Sequence, residues 1–158
     1  MLLISILAKN IIYMKIKKLY YQYYESMGNV FTLEFKDDKL QYSTLGVWEP
    51  IVKMINPIVD EDTDWEDVIV KFDSEPNDNI QFTQNQLKKF TDFIKNYCSD
   101  WKKKYELDGV VHDGIMWEVN IQIDDVKLKS EGHVLYPDNF EEFTYQLSLL
   151  TGGKIFDN

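Results

Sequence analysis

The segment IMWEVNIQI, residues 115–123, alternates apolar and polar side chains with a period of two. Because successive side chains of a β-strand point to opposite faces, this pattern predicts a strand with one buried face. The apolar face carries Trp117, Val119, Ile121 and Ile123. Asp124–Asp125 supplies a turn, and VKLKSEGHV, residues 126–134, predicts the second strand of a hairpin. The chain must therefore contain a sheet with one covered face.

Residues 15–45 predict three more strands, joined as an antiparallel meander. In order, the strands and turns read KIKKLYYQYYE, SMGN, VFTLEFK, KDDK and LQYSTL. Gly28–Asn29 tolerates positive φ in the first turn, and the KDDK segment makes a tight second turn. Farther along, VIVKF (residues 68–72) predicts a buried strand, and NIQF (residues 79–82) predicts a short extended segment.

Two helices are predicted. Thr83 and Gln86 form a T-x-x-Q capping box, and apolar residues then recur every three or four positions, which predicts a long helix over residues 83–105. Asp138, with Glu141 three residues later, predicts the start of a second helix over residues 138–151 that Gly152–Gly153 ends. The buried stripes are Leu87, Phe90, Ile94, Tyr97, Trp101 and Tyr105 in the first helix, and Phe140, Phe143, Leu147 and Leu150 in the second.

These elements predict an α+β fold, with a mainly antiparallel sheet and both helices packed on one face. The length of 158 residues suits one domain, which we place at residues 14–158. Residues 1–13 are either an apolar N-terminal extension or a misassigned start, since the segment beginning at Met14 has the character of a natural start. Lys9 and Asn10 interrupt the first apolar run, which is too short to span a bilayer.

The charge balance limits the partners. All 17 basic residues are lysine, and the formal net charge is −10. Attraction to nucleic acid or to an anionic membrane is disfavoured, and a basic protein is the natural electrostatic partner. Cys98 is the single cysteine, which excludes an intrachain disulfide and favours a small buried side chain in a reducing, cytoplasmic setting.

The stretch VDEDTDWEDV, residues 59–68, is the most acidic part of the chain. Its aspartates match positions 1, 3 and 5 of a calcium loop, but Trp65 and Lys71 stand where that loop needs glycine and glutamate. Two interpretations remain: a capping box from Thr63 to Glu66, or a surface that docks a basic partner around a tryptophan anchor. The candidate partner-binding residues are Trp48, Asp60, Asp62, Asp64, Trp65 and Glu66.

An alternative ligand site lies near the two histidines. His112 and Asp113 precede the hairpin and His133 ends it, so with Tyr136 they could line one rim and hold a ligand or metal. Adjacent His and Asp side chains do not orient each other as a catalytic dyad requires. The sequence has no third histidine, thiolate cluster or nucleophile motif, so we predict no catalytic residue, metal or cofactor.

Residues 113–150 carry a D-G-x-x-W-x-V-x-I pattern, then S-x-G-x-x-x-Y-P-x-N-F, then a helix. The matching residues are Asp113, Gly114, Trp117, Val119, Ile121, Ser130, Gly132, Tyr136, Pro137, Asn139 and Phe140. This signature resembles that of small bacterial α+β domains, for which it implies architecture but no reaction. The helix start FTQNQLKKF is similar to that of small acidic proteins encoded beside bacterial toxin genes, including immunity proteins.

Three functions follow as hypotheses. The first is a non-catalytic acidic binding domain for a basic protein, of which a toxin-immunity protein is the most concrete form. The second is a small enzyme or a ligand- or metal-binding domain near His112, Asp113 and His133. The third is a structural subunit that pairs through an exposed tyrosine-rich strand at residues 19–24. The oligomeric state stays open.

Overall fold

A computed structural model of the chain describes residues 13–26, 28–46, 78–109 and 113–156. These residues contain seven strands in one sheet and two helices. The strands are β1 (Ile16–Glu25), β2 (Asn29–Lys36), β3 (Lys39–Gly46), β4 (Asp78–Ile80), β5 (Lys104–Tyr105), β6 (Ile115–Ile123) and β7 (Val126–His133), and the helices are α1 (Gln84–Tyr97) and α2 (Phe140–Leu150). The predicted strand at residues 68–72 lies outside the described residues.

The sheet has the order β4-β3-β2-β1-β6-β7-β5. Every neighbouring pair is antiparallel except β5 and β7, which run parallel over two residues. The meander β1–β3 and the hairpin β6–β7 are as predicted from their alternating patterns. The turn between β2 and β3 places Asp37 and Asp38 at φ 52° and 59°, the left-handed conformation that a two-residue hairpin turn needs.

Strand β1 lies inside the sheet, not at an edge. It pairs with β2 on one side and with β6 on the other. Its backbone hydrogen-bonding groups along residues 19–24 are therefore used within the chain. The prediction that this tyrosine-rich strand offers an exposed edge for pairing is wrong, because β2 and β6 close both of its edges. The hypothesis of a structural subunit remains a prediction.

One face of the sheet carries the core. The row Tyr42, Leu33, Tyr21, Val119 and Ser130 crosses β3, β2, β1, β6 and β7 in direct register, and all five side chains are buried. The Tyr21 ring lies 5.8 Å from that of Phe143 in α2. Phe90 of α1 packs 6.1 Å from the same Phe143 ring, so both helices cover this face. The opposite face, which we call the open face, carries the polar members of the alternation.

Helix α1 begins as predicted and ends earlier. The backbone N–H of Gln86 donates to Thr83 Oγ1 at 3.1 Å, and the backbone N–H of Thr83 donates to Gln86 Oε1 at 2.8 Å. These two hydrogen bonds complete the capping box. The helix ends at Tyr97, however, with Cys98 as its C-cap, whereas the apolar spacing predicted a long helix to Tyr105. The long helix is therefore not confirmed.

Long-range contacts explain the early end of α1. The Trp101 N–H donates to the Cys98 carbonyl at 3.2 Å in a turn, and the backbone then runs beside β7. Ser130 Oγ donates to the Lys102 carbonyl at 2.6 Å, and Lys104–Tyr105 pairs with β7 as the short strand β5. Trp101 and Tyr105 still face the core. The extended segment therefore buries the same apolar side chains that a longer helix would have buried.

Helix α2 spans Phe140–Leu150, one or two residues shorter at each end than predicted. Asn139, not Asp138, occupies the N-cap position, and its side chain makes no capping hydrogen bond. Its amide instead joins the two helices: Oδ1 accepts from Trp101 Nε1 at 2.8 Å, and Nδ2 donates to the Tyr97 carbonyl at 2.7 Å. The prediction that Asp138 caps this helix is wrong for that reason.

Candidate functional site

The predicted partner-binding residues Trp48, Asp60, Asp62, Asp64, Trp65 and Glu66 lie outside the described residues, as do His112 and the apolar residues 1–12. The acidic stretch therefore remains a prediction from sequence. Among the remaining candidates, Asp113, His133 and Tyr136 fall within the described ranges, and their positions bear on the alternative ligand site.

His133 and Tyr136 lie on different faces of the sheet. His133 pairs with Met116 at the end of β7 and borders a shallow depression of about 320 Å³ on the open face. Tyr136 packs on the helix side, where its ring lies 6.3 Å from that of Trp117 and 4.8 Å from that of Phe140. Asp113 precedes Gly114, which has φ +128°. The structure thus does not bring His133 and Tyr136 to one point.

One lysine offsets part of the negative charge in the depression beside His133. Glu118 of β6 lies directly opposite Glu131 of β7, a like-charge pair that is unfavourable without a cation nearby. Lys104 supplies that cation: its Nζ lies 2.8 Å from Glu106 Oε1 and 3.9 Å from Glu131 Oε1. The hydrogen bond that the Lys104 ammonium donates to the Glu106 carboxylate raises the pKa of Lys104. Within the described ranges, no three His, Cys, Asp or Glu side chains are placed to hold a metal ion.

Cys98 is not an activated nucleophile. Burial, with a smaller contribution from the Asp100 carboxylate, raises the pKa of its thiol to about 12. A thiol with that pKa stays protonated at neutral pH, and only the thiolate attacks an electrophile. The side chain is buried and packs in the core, as predicted for this single cysteine.

An aromatic cluster lies between β5, β6 and the start of α2, and Trp117 of β6 is its centre. The Trp117 side chain is buried, and its indole Nε1 donates to the Leu135 carbonyl at 2.9 Å. Gly132 makes room for this indole, since a Cβ at that position would lie 2.5 Å from Trp117 Cε2. Gly132 is therefore a point of close approach between β7 and the Trp117 ring. The rings around Trp117 are those of Trp101, Tyr105, Tyr136 and Phe140, at 5.9, 5.8, 6.3 and 4.8 Å.

The outer rings of this cluster line a depression of about 340 Å³ at the surface. Its aromatic lining comes from Tyr97, Trp101, Tyr105 and Tyr136, and two carboxylates, Asp100 and Asp138, lie among them. A second depression, of about 620 Å³, adjoins the first across Tyr136, Pro137 and Asp138 and adds Tyr23, Ile115, Phe140 and Glu141. We call the two depressions together the acid–aromatic surface.

The charge of the acid–aromatic surface is negative. Asp100, Asp138 and Glu141 contribute three carboxylates, and Lys102 is the one lysine among its lining residues within the described part of the chain. Tyr and Trp side chains of this kind are enriched in the hot spots of protein-binding surfaces. The arrangement provides ring faces and carboxylates for a cationic group, and it contains no nucleophile paired with a base.

The walls of the surface are held in place by hydrogen bonds from the chain itself. Asn139 fixes the Trp101 indole, and the Tyr105 hydroxyl accepts from the Lys102 N–H at 3.0 Å. Ser130, buried in β7, holds the Lys102 carbonyl. Ser130, Gly132 and Tyr136 therefore support Trp117 and the segment after α1. Since these contacts form without a partner, the surface is preorganised.

Sequence reasoning missed this surface. Trp101 and Tyr105 were assigned to the buried stripe of a helix, and Asp138 was assigned to a cap. The available signal was Ser99–Asp100, a polar pair directly after Cys98 that is typical of a turn. Ending the helix there would have placed Trp101 and Tyr105 on a connecting segment that begins with Asp100.

Comparisons with models of known protein families, with curated proteins and with solved structures gave no match. The resemblance to small bacterial domains and to immunity proteins therefore remains a prediction. Neither of the helices in the described ranges has the length and apolar character needed to cross a bilayer.

Proposed function

We propose that the protein is a non-catalytic binding domain that holds a basic protein partner through its acid–aromatic surface. The observation that carries the proposal is the proximity of Asp100, Asp138 and Glu141 to the partly exposed rings of Trp101, Tyr105 and Tyr136. Aromatic side chains provide large contact area at small entropic cost, and carboxylates steer a cationic protein toward them.

The overall charge supports this proposal. A formal net charge of −10 creates a field that attracts basic proteins and raises their association rate at low ionic strength. The acidic stretch at residues 59–68 would add a second set of contacts, with Trp48 or Trp65 as an anchor. The proposed setting is the bacterial cytoplasm, where a reducing environment suits a chain with a single cysteine.

An immunity protein that neutralises a toxin domain is the most specific form of the proposal. Its support is the similarity of FTQNQLKKF, residues 82–90, to the helix start of such proteins, together with the acidity of the chain. If this form is correct, a gene beside that of the protein encodes a basic toxin domain. Co-expression of the protein then restores the growth of cells that produce the toxin, and unchanged toxicity would reject this form.

The broader proposal is tested by capturing a partner from a lysate of the source cells at low salt and then titrating the purified partner. Affinity should fall steeply as salt rises, because exposed charges are screened within about 10 Å at 0.1 M ionic strength. Neutralisation by Asp100→Asn with Asp138→Asn should weaken binding several-fold. The control pair Asp37→Asn and Asp38→Asn removes the same charge from a turn at the opposite end of the sheet.

Charge reversal at Asp62, Asp64 and Glu66 tests the second set of contacts in the same titration. The proposal is wrong if no specific protein is recovered. It is also wrong if the recovered protein binds equally well in high salt and to the wild type, to the Asp100/Asp138 variant and to the reversed variant.

A further inference from the structure

We infer that the depression lined by Trp101, Tyr105 and Tyr136 takes the ε-ammonium group of a lysine side chain supplied by the partner. This inference rests on the proposed function and specifies the chemical group that the acid–aromatic surface recognises. Its volume of about 340 Å³ accommodates one long side chain but not a folded segment.

The ring faces provide the first argument. An ammonium group placed over the face of a tyrosine or tryptophan within about 6 Å of the ring centre is attracted by the ring quadrupole. The chain already makes one such contact in this depression: Lys102 Nζ lies 5.9 Å from the centre of the Tyr105 ring. The Lys102 side chain is exposed, so a partner's lysine displaces it without breaking buried contacts.

The angles between the rings favour an ammonium over a guanidinium. The plane of the Tyr136 ring lies at 16° to that of Trp117, nearly parallel to it. The plane of the Trp101 ring lies at 75° to that of Trp117. Tyr136 and Trp101 therefore meet at a steep angle and form two walls of the depression. A compact ammonium interacts with both walls at once, but a planar guanidinium stacks on one ring only.

The carboxylates provide the third argument. Asp100 and Asp138 line the same depression as the rings, and both are exposed. Each attracts a cation that enters, and neither has an ion pair among the salt bridges of the described residues. The site thus offers aromatic faces for the aliphatic stem and head group, and negative charge at its mouth.

The test uses lysine blocked at both backbone ends as the probe, with NMR detection of the indole N–H signals of Trp101 and Trp117. The blocked lysine should shift both signals in a saturable way. Blocked norleucine, which lacks the ammonium group, should not shift them, and blocked arginine should bind more weakly than lysine. The measurement uses the full chain.

Two pairs of variants locate the probe. Lys102→Gln removes the internal competitor and should tighten binding about threefold, the size of one exposed cation–π contact. Lys103→Gln makes the same change of charge one residue away and should alter the affinity much less. Asp100→Asn with Asp138→Asn should weaken binding about fivefold, and the control pair Asp37→Asn with Asp38→Asn should leave it near the wild-type value.

Several outcomes overturn the inference. They are the absence of a shift, equal shifts with blocked norleucine, tighter binding of blocked arginine, and equal effects of Lys102→Gln and Lys103→Gln. If the lysine probe fails while the purified partner still binds in a salt-sensitive way, the inference fails and the proposed function stands. If the probe behaves as expected but no basic partner binds, the proposed function fails and the lysine site stands.

Discussion

At the scale of single residues, the aromatic cluster depends on the missing side chain of Gly132. A Cβ there would lie 2.5 Å from Trp117 Cε2 and 2.6 Å from the Leu135 carbonyl oxygen, and neither atom can move without shifting the core or the backbone. We expect Gly132→Ala to lower the free energy of unfolding by about 1–3 kcal/mol through overpacking. Urea denaturation measures this change.

Gly28→Ala is the control for Gly132→Ala, because the atoms nearest to the new methyl group would belong to the flexible Glu25 side chain and not to a buried ring or the backbone. Its effect should stay within about 0.5 kcal/mol. Equal effects of the two substitutions would mean that the Trp117 indole does not pack across Gly132.

Because of Tyr20 on the open face, we expect the free energy of unfolding to depend on pH in the alkaline range. Burial, and then the carboxylates of Glu118 and Glu34, raises the pKa of Tyr20 to about 12, above its ordinary value of about 10. Between these values the unfolded chain loses the phenolic proton and the folded chain keeps it. The folded state is then the one with more bound protons, so the contribution of Tyr20 to stability is lost as pH rises from about 10 to 12.

The variant Tyr20→Phe removes this ionisation. We expect the free energy of unfolding to fall less steeply over this pH range in Tyr20→Phe than in the wild type, as measured by urea denaturation at pH 9 and pH 11.5. Parallel pH profiles for the two proteins would contradict the raised pKa of Tyr20.

At the scale of elements, Asn139 links the end of α1 to the start of α2. Its amide binds both the Trp101 indole and the Tyr97 carbonyl. We expect Asn139→Ala to lower the free energy of unfolding by about 1–3 kcal/mol, because the indole N–H of Trp101 and the carbonyl of Tyr97 both lose their hydrogen-bond partner. If Asp138 were the helix cap instead, Asp138→Ala would cost as much. Thermal unfolding of the two alanine variants separates these cases.

The elements that the sequence predicted well are those whose pattern depends on neighbouring residues. The alternation in β6 and β2 and the capping box at Thr83 are local, and each was confirmed. The end of α1 depends on contacts made between distant segments: Ser130 holds the Lys102 carbonyl from 28 positions away, and Asn139 holds the Tyr97 carbonyl from 42 positions away. Periodicity contains no information on such contacts, so the helix was predicted too long.

At the scale of the whole molecule, the candidate site needed the assembled fold to become visible. The sequence drew attention to residues 59–68 and to the histidines, because unusual residue types are conspicuous in a sequence. The acid–aromatic surface is built instead mainly from two segments, around Trp101 and around Tyr136, with Tyr23 of β1 and Ile115 of β6 beside them. Each segment alone has the composition of a core stripe and a helix start, so their combination was not predictable without the sheet register that joins them.

Residues 154–156 close the core near the β3–β4 edge of the sheet, away from β7. Phe156 is 1% exposed, and its ring lies 5.7 Å from that of Tyr21 and 5.5 Å from that of Tyr42. The Tyr21 hydroxyl donates to the Phe156 carbonyl, and the Tyr42 hydroxyl donates to the Ile155 carbonyl. Lys154 also pairs with Asp78 of the edge strand β4. The tail is thus part of the hydrophobic layer between sheet and helices.

This arrangement predicts that Phe156 stabilises the whole fold, although it lies close to the end of the chain. Phe156→Ala should lower the free energy of unfolding by about 3–5 kcal/mol, since it leaves a cavity beside Tyr21 and Tyr42. Ile155→Ala is the matched control: Ile155 is 61% exposed, and its removal should cost less than about 0.5 kcal/mol. In urea denaturation the midpoint should fall for Phe156→Ala with an unchanged slope. A Phe156→Ala midpoint equal to that of Ile155→Ala would show that the core closes without the tail, and that the sheet and helices alone supply the stability of the fold.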